Sequence, residues 1–482
     1  MTENSLPRLP ENWAWTTIGQ LYDIVGGGTP ATCVPEYWNG DIPWITSADI
    51  TGLKEITPRK YVTKSGVQNS ATHVVPEKSL IVVTRVGLGK VGLTNVSMCF
   101  SQDSQALIGN GSLIYPEYSL YYLSKAVQIF KYQHRGTTIS GVTKKQLSEL
   151  IFPLPPFNEQ RRIANKIEEL FSDLGAGVES LEKIKKQLKR YRQAVLKYAF
   201  EGKLSQKWRE NHKALNTSTQ ISSLSELPEG WVHGKLQDLI FIAGRIGWRG
   251  LKAEEYTKEG PLFLSVYNLN KGEVVDLSDS YHVTEERYEE SPEIQLRNDD
   301  ILLVKDGAGI GKVGIVQGLN TKATVNSSLL VIRSGKVFRP KFLFHFLRGP
   351  KMQEVVRKRI TGSTTPHLFQ RDIKKFELLI PPLSEQDAII EEIEAHFSVI
   401  DETEGVVNQS LIKAETLRQS ILKRAFAGRL VPQDPDDEPA EKLLEHIEFE
   451  SAKQKTKSLG DIDRKKPKAN NNKQLELSRY VK

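Results

Sequence analysis

Three stretches of this chain carry residue types at spacings that suggest chemistry. Gly307-Ala308-Gly309-Ile310-Gly311-Lys312-Val313 looks like a phosphate-binding loop. That loop needs four residues between its first Gly and the Gly-Lys pair, then a Ser or Thr to hold magnesium. Here the gap from Gly307 is one residue short and Val313 stands where the hydroxyl belongs; Gly87-Leu88-Gly89-Lys90-Val91 fails at the same place. Two readings fit better than nucleotide hydrolysis: a tight β-turn presenting a lysine to a phosphate, or the same turn with its lysine solvated. Leu154-Pro155-Pro156-Phe157 has the outline of the Asn/Asp-Pro-Pro-aromatic signature of amino-group methyl transfer. Leu154, and Ile380 at a second occurrence, have no side-chain acceptor to hold an amino group. Pro435-Asp436-Asp437 has a nuclease-like carboxylate pair, but it sits in a Pro-broken polar stretch without a strand-borne Glu-x-Lys. It reads as a solvated acidic segment. No glycine fingerprint of a dinucleotide fold lies between a strand and a helix.

The elements that must position any site are easier to read. Leu154 to Leu204 is nearly repeated by Ile380 to Leu430: Leu154 aligns with Ile380, Phe171 with Phe397 and Leu204 with Leu430, a gapless offset of 226 residues. This period is far longer than the ~20–50 residues of a solenoid repeat and marks a duplicated half-protein. Each copy opens on Pro-Pro and offers a helix start, with Asn158 or Ser384 as the expected cap and Glu159 or Glu385 in the first turn. Each closes on Ala-Phe-x-Gly, where Gly202 and Gly428 suit a left-handed helix stop.

Between these ends apolar residues recur at 3–4 spacing. In the first copy they are Ile163, Ile167, Leu170, Leu174, Val178, Leu181, Ile184, Leu188, Tyr191, Val195 and Tyr198. In the second they include Ile389, Ile393, Phe397, Ile400, Val407, Leu411, Leu417 and Ile421. Such stripes need a partner, and the matched copies are expected to pair antiparallel. Each reaches ~60 Å at ~1.5 Å per residue if unbroken. Gly175 and Gly177 are the expected weak point.

At 482 residues the chain holds several domains. No run of ~18 apolar residues suggests a membrane span, and the N-terminus MTENSLPRLPENW lacks a signal pattern. Cys33 and Cys99 are the only cysteines, without metal-like spacing, which fits a reducing cytoplasm. A net charge of +7, with dense runs at Lys183 to Lys197 and Lys351 to Arg359, permits a polyanionic partner.

In chain order, residues 1–10 read as an arm. Leu9-Pro10-Glu11-Asn12-Trp13 opens one β-rich region and Leu227-Pro228-Glu229-Gly230-Trp231 opens another. Strands are expected at Ile42 to Ile45, Ser79 to Val83, Pro261 to Val266 and Ile301 to Val304, and helices at Tyr118 to Gln133 and Pro340 to Ile360. The two regions share few anchors: Gly89-Lys90-Val91-Gly92 with Gly311-Lys312-Val313-Gly314, and Gly136-Thr137-Thr138 with Gly362-Ser363-Thr364. Alike scaffolds with unlike faces suggest two readers of different signals. Beyond Val431 the chain turns polar, with one short helical stretch expected near Ala440 to Glu448, and residues 451–482 are expected to be largely disordered.

The paired PPF-NEQ and PPL-SEQ helix starts, the AFEGKL and AFAGRL ends, LPENW and LPEGW, GGGTP at Gly26 to Pro30, and IPWITSADI at Ile42 to Ile50 together resemble the specificity (S) subunit of type I restriction–modification enzymes. The resemblance covers nearly the whole chain except about the last thirty residues. It implies an α+β fold, with two mixed β-rich target-recognition domains separated by two long antiparallel coiled-coil helices in a pseudo-two-fold repeat. The implied boundaries are 1–152 for the first recognition domain, 153–207 for a central helical spacer and 208–227 for a linker. The second recognition domain takes 228–378, a distal helical spacer 379–431, and a polar, largely disordered tail 432–482. The implied role is a cytoplasmic, non-catalytic reader of a bipartite double-stranded DNA target. Its partners are two modification (methyltransferase) subunits and restriction (translocase/nuclease) subunits, with no membrane. The chain itself binds no cofactor or metal; S-adenosylmethionine, ATP and magnesium sit on the partners.

For such a reader, phosphate neutralisation supplies affinity and base-edge contacts supply specificity. The candidate phosphate binders are Arg85, Lys90, Arg135, Lys144, Lys145, Arg245, Arg249, Lys305 and Lys312. The candidate base readers are Gln102, Asp103, Gln105, Thr137, Thr138, Trp248, Asn326, Thr364 and His367, polar or aromatic residues near expected turns. Each has a plain alternative as a solvated or turn-forming residue. The basic face of Lys183, Lys186, Lys189, Arg190 and Arg192 reads as a solvated coiled-coil flank or a subunit contact. Two rival functions are a catalytic methyltransferase or nuclease, opposed by the failed motifs, and a structural coiled-coil adaptor, which has no use for divergent β-rich halves.

Overall fold

A computed structural model describes residues 7–109, 111–133, 141–213, 228, 230–245, 251, 255–307, 309–361 and 367–450. By contact density the chain forms two compact units, residues 1–178 with 412–482 and residues 179–411. Each therefore joins one β-rich half to a portion of both long helices.

The first unit runs β1 (Ala14–Thr17), α1 (Ile18–Leu21), β2 (Tyr22–Gly26), β3 (Trp38–Ile45), β4 (Lys60–Val62), α2 (Lys64–Gln68), β5 (Leu80–Val83), β6 (Val91–Leu93), β7 (Cys99–Phe100) and β8 (Ser104–Gly109). Then come α3 (Pro116–Ala126), α4 (Ile129–Gln133), α5 (Lys144–Ser148), β9 (Ile151–Leu154) and the long α6 (Phe157–Phe200). The second unit repeats this order: α7 (Gln206–Lys213), β10 (Val232–Lys235), β11 (Phe241–Gly244), β12 (Tyr256–Leu264), β13 (Tyr281–Val283), α8 (Glu285–Glu289), β14 (Ile301–Val304), β15 (Val313–Ile315), β16 (Ala323–Val325) and β17 (Leu329–Arg333). It ends α9 (Pro340–Arg348), α10 (Pro350–Thr361), α11 (Gln370–Lys374), β18 (Glu377–Ile380) and the long α12 (Leu383–Ala425).

The sheets repeat strand for strand: β2-β8-β5-β6, β4-β3-β7 and β1-β9 in the first unit, and β11-β17-β14-β15, β13-β12-β16 and β10-β18 in the second. In both, a parallel pair (β3 with β7, β12 with β16) sits in an otherwise antiparallel layout. Leu80-Ile81-Val82-Val83 and Ile301-Leu302-Leu303-Val304 are buried throughout, because both faces of these central strands are covered. The Gly-Lys-Val-Gly stretches make β-hairpins from β5 to β6 and β14 to β15, so no helix follows the glycines as a phosphate loop requires.

Several expectations need correcting. The long helices begin at Phe157 and Leu383. Asn158 and Ser384 therefore lie inside the first turn, and the Pro156 and Pro382 carbonyls accept from Gln160 and Gln386 N–H, both at 2.9 Å. Gly175 and Gly177 do not break α6, which is continuous over 44 residues. A single glycine costs ~1 kcal/mol in a helix, a modest loss against the backbone bonds of 44 helical residues. The apolar stripes are narrower than their sequence suggests: Ile184, Tyr191, Tyr198 and Leu417 are exposed. The expected helix at Tyr118 to Gln133 is split after Ala126, and that at Pro340 to Ile360 is split at Gly349-Pro350, where proline cannot donate to the preceding turn.

The short helix expected near Ala440 to Glu448 is present, with residues 440–450 helical, but this part of the tail is ordered and packed: Ala440, Leu443 and Ile447 join the first unit's core. Asp437 is buried and paired with Arg162 at 2.6 Å, so it is no free nuclease carboxylate. At the other end Leu9 packs on the same core, and a helix over residues 206–213 runs into the expected linker of 208–227. Residues 1–6, 214–227 and 451–482 lie outside the described residues.

The repeated motifs meet at one junction in each unit. In the first, the Trp13 indole donates to Glu159 (3.0 Å) and the Gln433 amide to the other oxygen (2.6 Å). In the second, the Trp231 indole donates to Glu385 (2.9 Å), which also takes Ser205 Oγ (2.7 Å) and Arg209 (2.5 Å). The helix ends close the junction. Lys203 N–H reaches back to Tyr198 O and Arg429 N–H to Arg424 O, both at 2.9 Å, around Gly202 (φ +72°) and Gly428 (φ +65°). A side chain at Gly428 would strike Pro10, and one at Gly202 would strike Pro228. Gln160 accepts the Tyr115 N–H at the start of α3, and Gln386 accepts the Arg339 N–H at the start of α9, both at 2.8 Å. Phe426 stacks edge-on with Tyr118 and Tyr122, as Phe200 does with Phe342 and Phe346. These motifs build a scaffold and perform no reaction.

Candidate nucleic-acid interface

In each unit three segments converge at one rim of the β-rich half. Thr84 and Arg85 follow β5, and their N–H groups donate to the Asp103 carbonyl at 2.8 and 3.2 Å; Val142 N–H donates to the Thr84 carbonyl at 2.8 Å. In the second unit Lys305 N–H donates to Ser328 O and Leu368 N–H to Lys305 O, both at 2.9 Å. The rims are thus built from matching backbone bonds: 84–85, 101–103 and 141–144 in one, 305–306, 326–328 and 367–370 in the other.

Most of the candidates that fall among the described residues collect on these rims. In the first unit Arg85 and Lys144 are exposed, and Asp103 is half-buried. Lys145 pairs with Glu149 at 3.7 Å. Gln102 accepts from Thr29 Oγ1 in the GGGTP loop, and Gln105 donates to the Val142 carbonyl (3.4 Å). In the second unit His367 meets Asp306, whose backbone it also bridges, and Lys305 Nζ lies 3.9 Å from Asp306. Asn326 Oδ1 accepts the Ser328 N–H (3.1 Å), a turn-forming bond.

Other candidates are differently placed. Lys90 Nζ donates to the Ser47 (2.9 Å) and Ile50 (3.1 Å) carbonyls, and Lys312 Nζ to Asn270 Oδ1 (2.6 Å); each hairpin lysine is tied to the 3-10 turn after β3 or β12. Arg245 is not a surface cation: its side chain is 8% exposed and lies 3.7 Å from Glu290. Burial and the neighbouring Arg287 hold its pKa below the usual guanidinium value. Arg192 leaves the expected solvated face, pairing with Asp401 and Glu404 and lying over the Phe397 ring at 4.6 Å. Arg135, Thr137, Thr138, Trp248, Arg249 and Thr364 lie outside the described residues.

Two rim residues escaped the sequence reading, Thr29 and His73, whose Nδ1 is 3.1 Å from the Gly26 carbonyl. The available signal was the glycine run before Thr29. A Cβ at Gly27 would lie 2.2 Å from the Ser101 carbonyl, so only glycine lets this loop seat against the rim.

Among the described residues no group of His, Cys, Asp and Glu could hold a metal ion, and no helix is long and apolar enough to cross a membrane. A duplicated α+β scaffold carrying two matched rims with different side chains defines a protein of recognition. Two stretches, residues 10–190 and 228–411, match the family model described as "Type I restriction modification DNA specificity domain". The EcoBI type I restriction enzyme specificity subunit of Escherichia coli is 30% identical over 329 residues, covering 66% of this chain and 68% of that one. In fold, the chain resembles one solved in work on complex assembly and conformational transition of the type I R-M system (TM-score 0.63, 17% identity, 88% of this chain and 100% of that one). It also resembles the HsdS subunit from Thermoanaerobacter tengcongensis (TM-score 0.50, 19% identity, 89% and 100%). The chain belongs to the type I restriction–modification DNA specificity family. It is a DNA sequence-specificity subunit and not a catalytic one.

Proposed function

We propose that this chain reads a bipartite double-stranded DNA target, each rim contacting one half-sequence, and positions two modification subunits for adenine methylation. Restriction subunits join the same assembly, and S-adenosylmethionine, ATP and magnesium are held by these partners in the cytoplasm. The observation that carries this reading is the pair of rims: two matching backbone bonds in each unit, from Thr84 and Val142 N–H in one and from Lys305 and Leu368 N–H in the other, with Arg85, Gln102 and Lys144 on the first rim and Lys305, Asn326 and His367 on the second. Recognition of two different sequences from one duplicated scaffold needs this combination. Cations, exposed at Arg85 and Lys144 and half-buried at Lys305, give affinity, and side-chain amides and rings give choice. Arg245, Lys90 and Lys312 take internal roles in this reading. Val399 and Val406 on α12, and Ile184 and Tyr191 on α6, are exposed apolar side chains available to protein partners.

Methylation-sensitive sequencing of DNA from cells carrying this chain and its modification subunit tests the proposal. The expected result is one methylated motif of two short parts flanking an unread spacer. A contiguous motif, or methyl transfer by the isolated chain, overturns it.

A further inference from the structure

The 226-residue register extends back onto the rims and exposes one place where they differ in kind. Thr143, Lys145 and Glu149 of the first unit stand at the positions of Phe369, Arg371 and Lys375 in the second. In the first, Lys145 is drawn to Glu149, and Thr143 caps α5 by accepting the Gln146 N–H at 3.2 Å. In the second, the carboxylate next to Arg371 is already engaged: Asp372 accepts the Phe369 N–H (2.9 Å) and pairs with Arg359. Glu149 has become Lys375, which repels. Arg371 is exposed and forms no ion pair among the described residues. Its guanidinium carbon lies over Phe369, 4.6 Å from the ring centroid, with Arg359 at 5.4 Å from the same centroid and His367 edge-on to the ring at 4.4 Å.

We infer that Arg371, propped on Phe369, reads a guanine in the half-sequence recognised by the second unit. The inference rests on the DNA-reading role proposed above and names a residue for it. An arginine stacked on an aromatic ring loses little further freedom when its planar fork engages two acceptors. Guanine offers O6 and N7 in that geometry, and a contact there, unlike one to a phosphate that every nucleotide carries, ties the arginine to one base pair.

The test uses the full chain assembled with its modification subunit and a randomised double-stranded oligonucleotide library. The wild-type assembly should select a bipartite sequence; if it selects none, the DNA-reading role fails and the inference with it. Given selection, Arg371→Ala should lose ~10-fold or more of the preference for one G·C pair. That pair should lie in the half left unchanged when residues 14–150 are exchanged for those of a relative. Arg371→Lys should keep overall binding but not that preference. Unaltered discrimination in Arg371→Ala, full discrimination in Arg371→Lys, or a change confined to the other half each overturns the inference while leaving the DNA-reading role intact. Because Arg371 is exposed, both variants should unfold thermally as the wild type does, which separates lost reading from lost folding.

Discussion

The Trp13 indole nitrogen stands 3.0 Å from a carboxylate oxygen of Glu159, two buried side chains 146 residues apart in sequence. Glu159→Ala leaves the buried indole N–H without its acceptor, whereas the exposed Gln433 amide turns to water. A buried unmet donor costs ~1–3 kcal/mol. The first unit should therefore lose about 1–3 kcal/mol in urea unfolding followed by tryptophan fluorescence. Glu159→Gln keeps an acceptor and should cost far less. Equal losses in the two variants would show that the hydrogen bonds are not what matters here.

Burial raises the Glu159 pKa above its ordinary 4.5; the bonds from Trp13 and Gln433 and the charge of Arg162 only partly offset it. Between the ordinary and raised values the folded chain holds a proton that the unfolded chain releases, so stability falls as pH rises through that window. The difference in unfolding free energy between the wild type and Glu159→Gln should carry this slope across the window, since every other titrating group is common to both.

His345 presents the opposite sign. Burial, aided by Arg348 and Lys341, lowers its pKa from 6.5 to about 3, and its Nδ1 finds no partner among the described residues. Below 6.5 the unfolded chain takes up a proton that the folded one refuses, so stability declines as pH falls toward 3. At ~1.4 kcal/mol per unit, the second unit should lose about 2 kcal/mol between pH 7 and 5. Chemical denaturation at the two values should show His345→Phe, set among Phe344 and Phe397, escaping most of that loss.

Exchanging residues 14–150 for the equivalent stretch of a relative alters the first rim and leaves the second untouched. The methylated motif should change in one half only. A change in both halves would mean that the rims do not divide the target.

The spacing of the two halves is expected to follow the long helices. Four helix-favouring residues inserted after Val178 in α6 and after Leu411 in α12, at the limits of the two units, add ~6 Å to each helix without interrupting either unit's own packing. Near Glu404 the same insertion would disturb the Arg192 pair. The added length equals about two base pairs of DNA, and a residual rotation of ~30° falls to the loops at the helix ends. The half-sequences should persist with an unread spacer one or two base pairs longer. An assembled variant that still methylates only the original spacing would show that these helices do not set it.

The sequence by itself determined the duplication, the two long helices with their glycine ends, and the strands at Ile42 to Ile45 and Ile301 to Val304. These depend on local periodicity and on backbone conformations that Pro and Gly impose, and such signals survive without knowledge of what packs where. Only the tertiary structure decided that Trp13, Glu159 and Gly428 form one junction, that Arg245 is buried while Arg371 is exposed, and that Ala440, Leu443 and Ile447 are core. A cation reads the same in sequence whether it faces solvent or a carboxylate. Which of these it meets depends on segments far away in the chain, and burial then sets whether its charge is free to reach a partner.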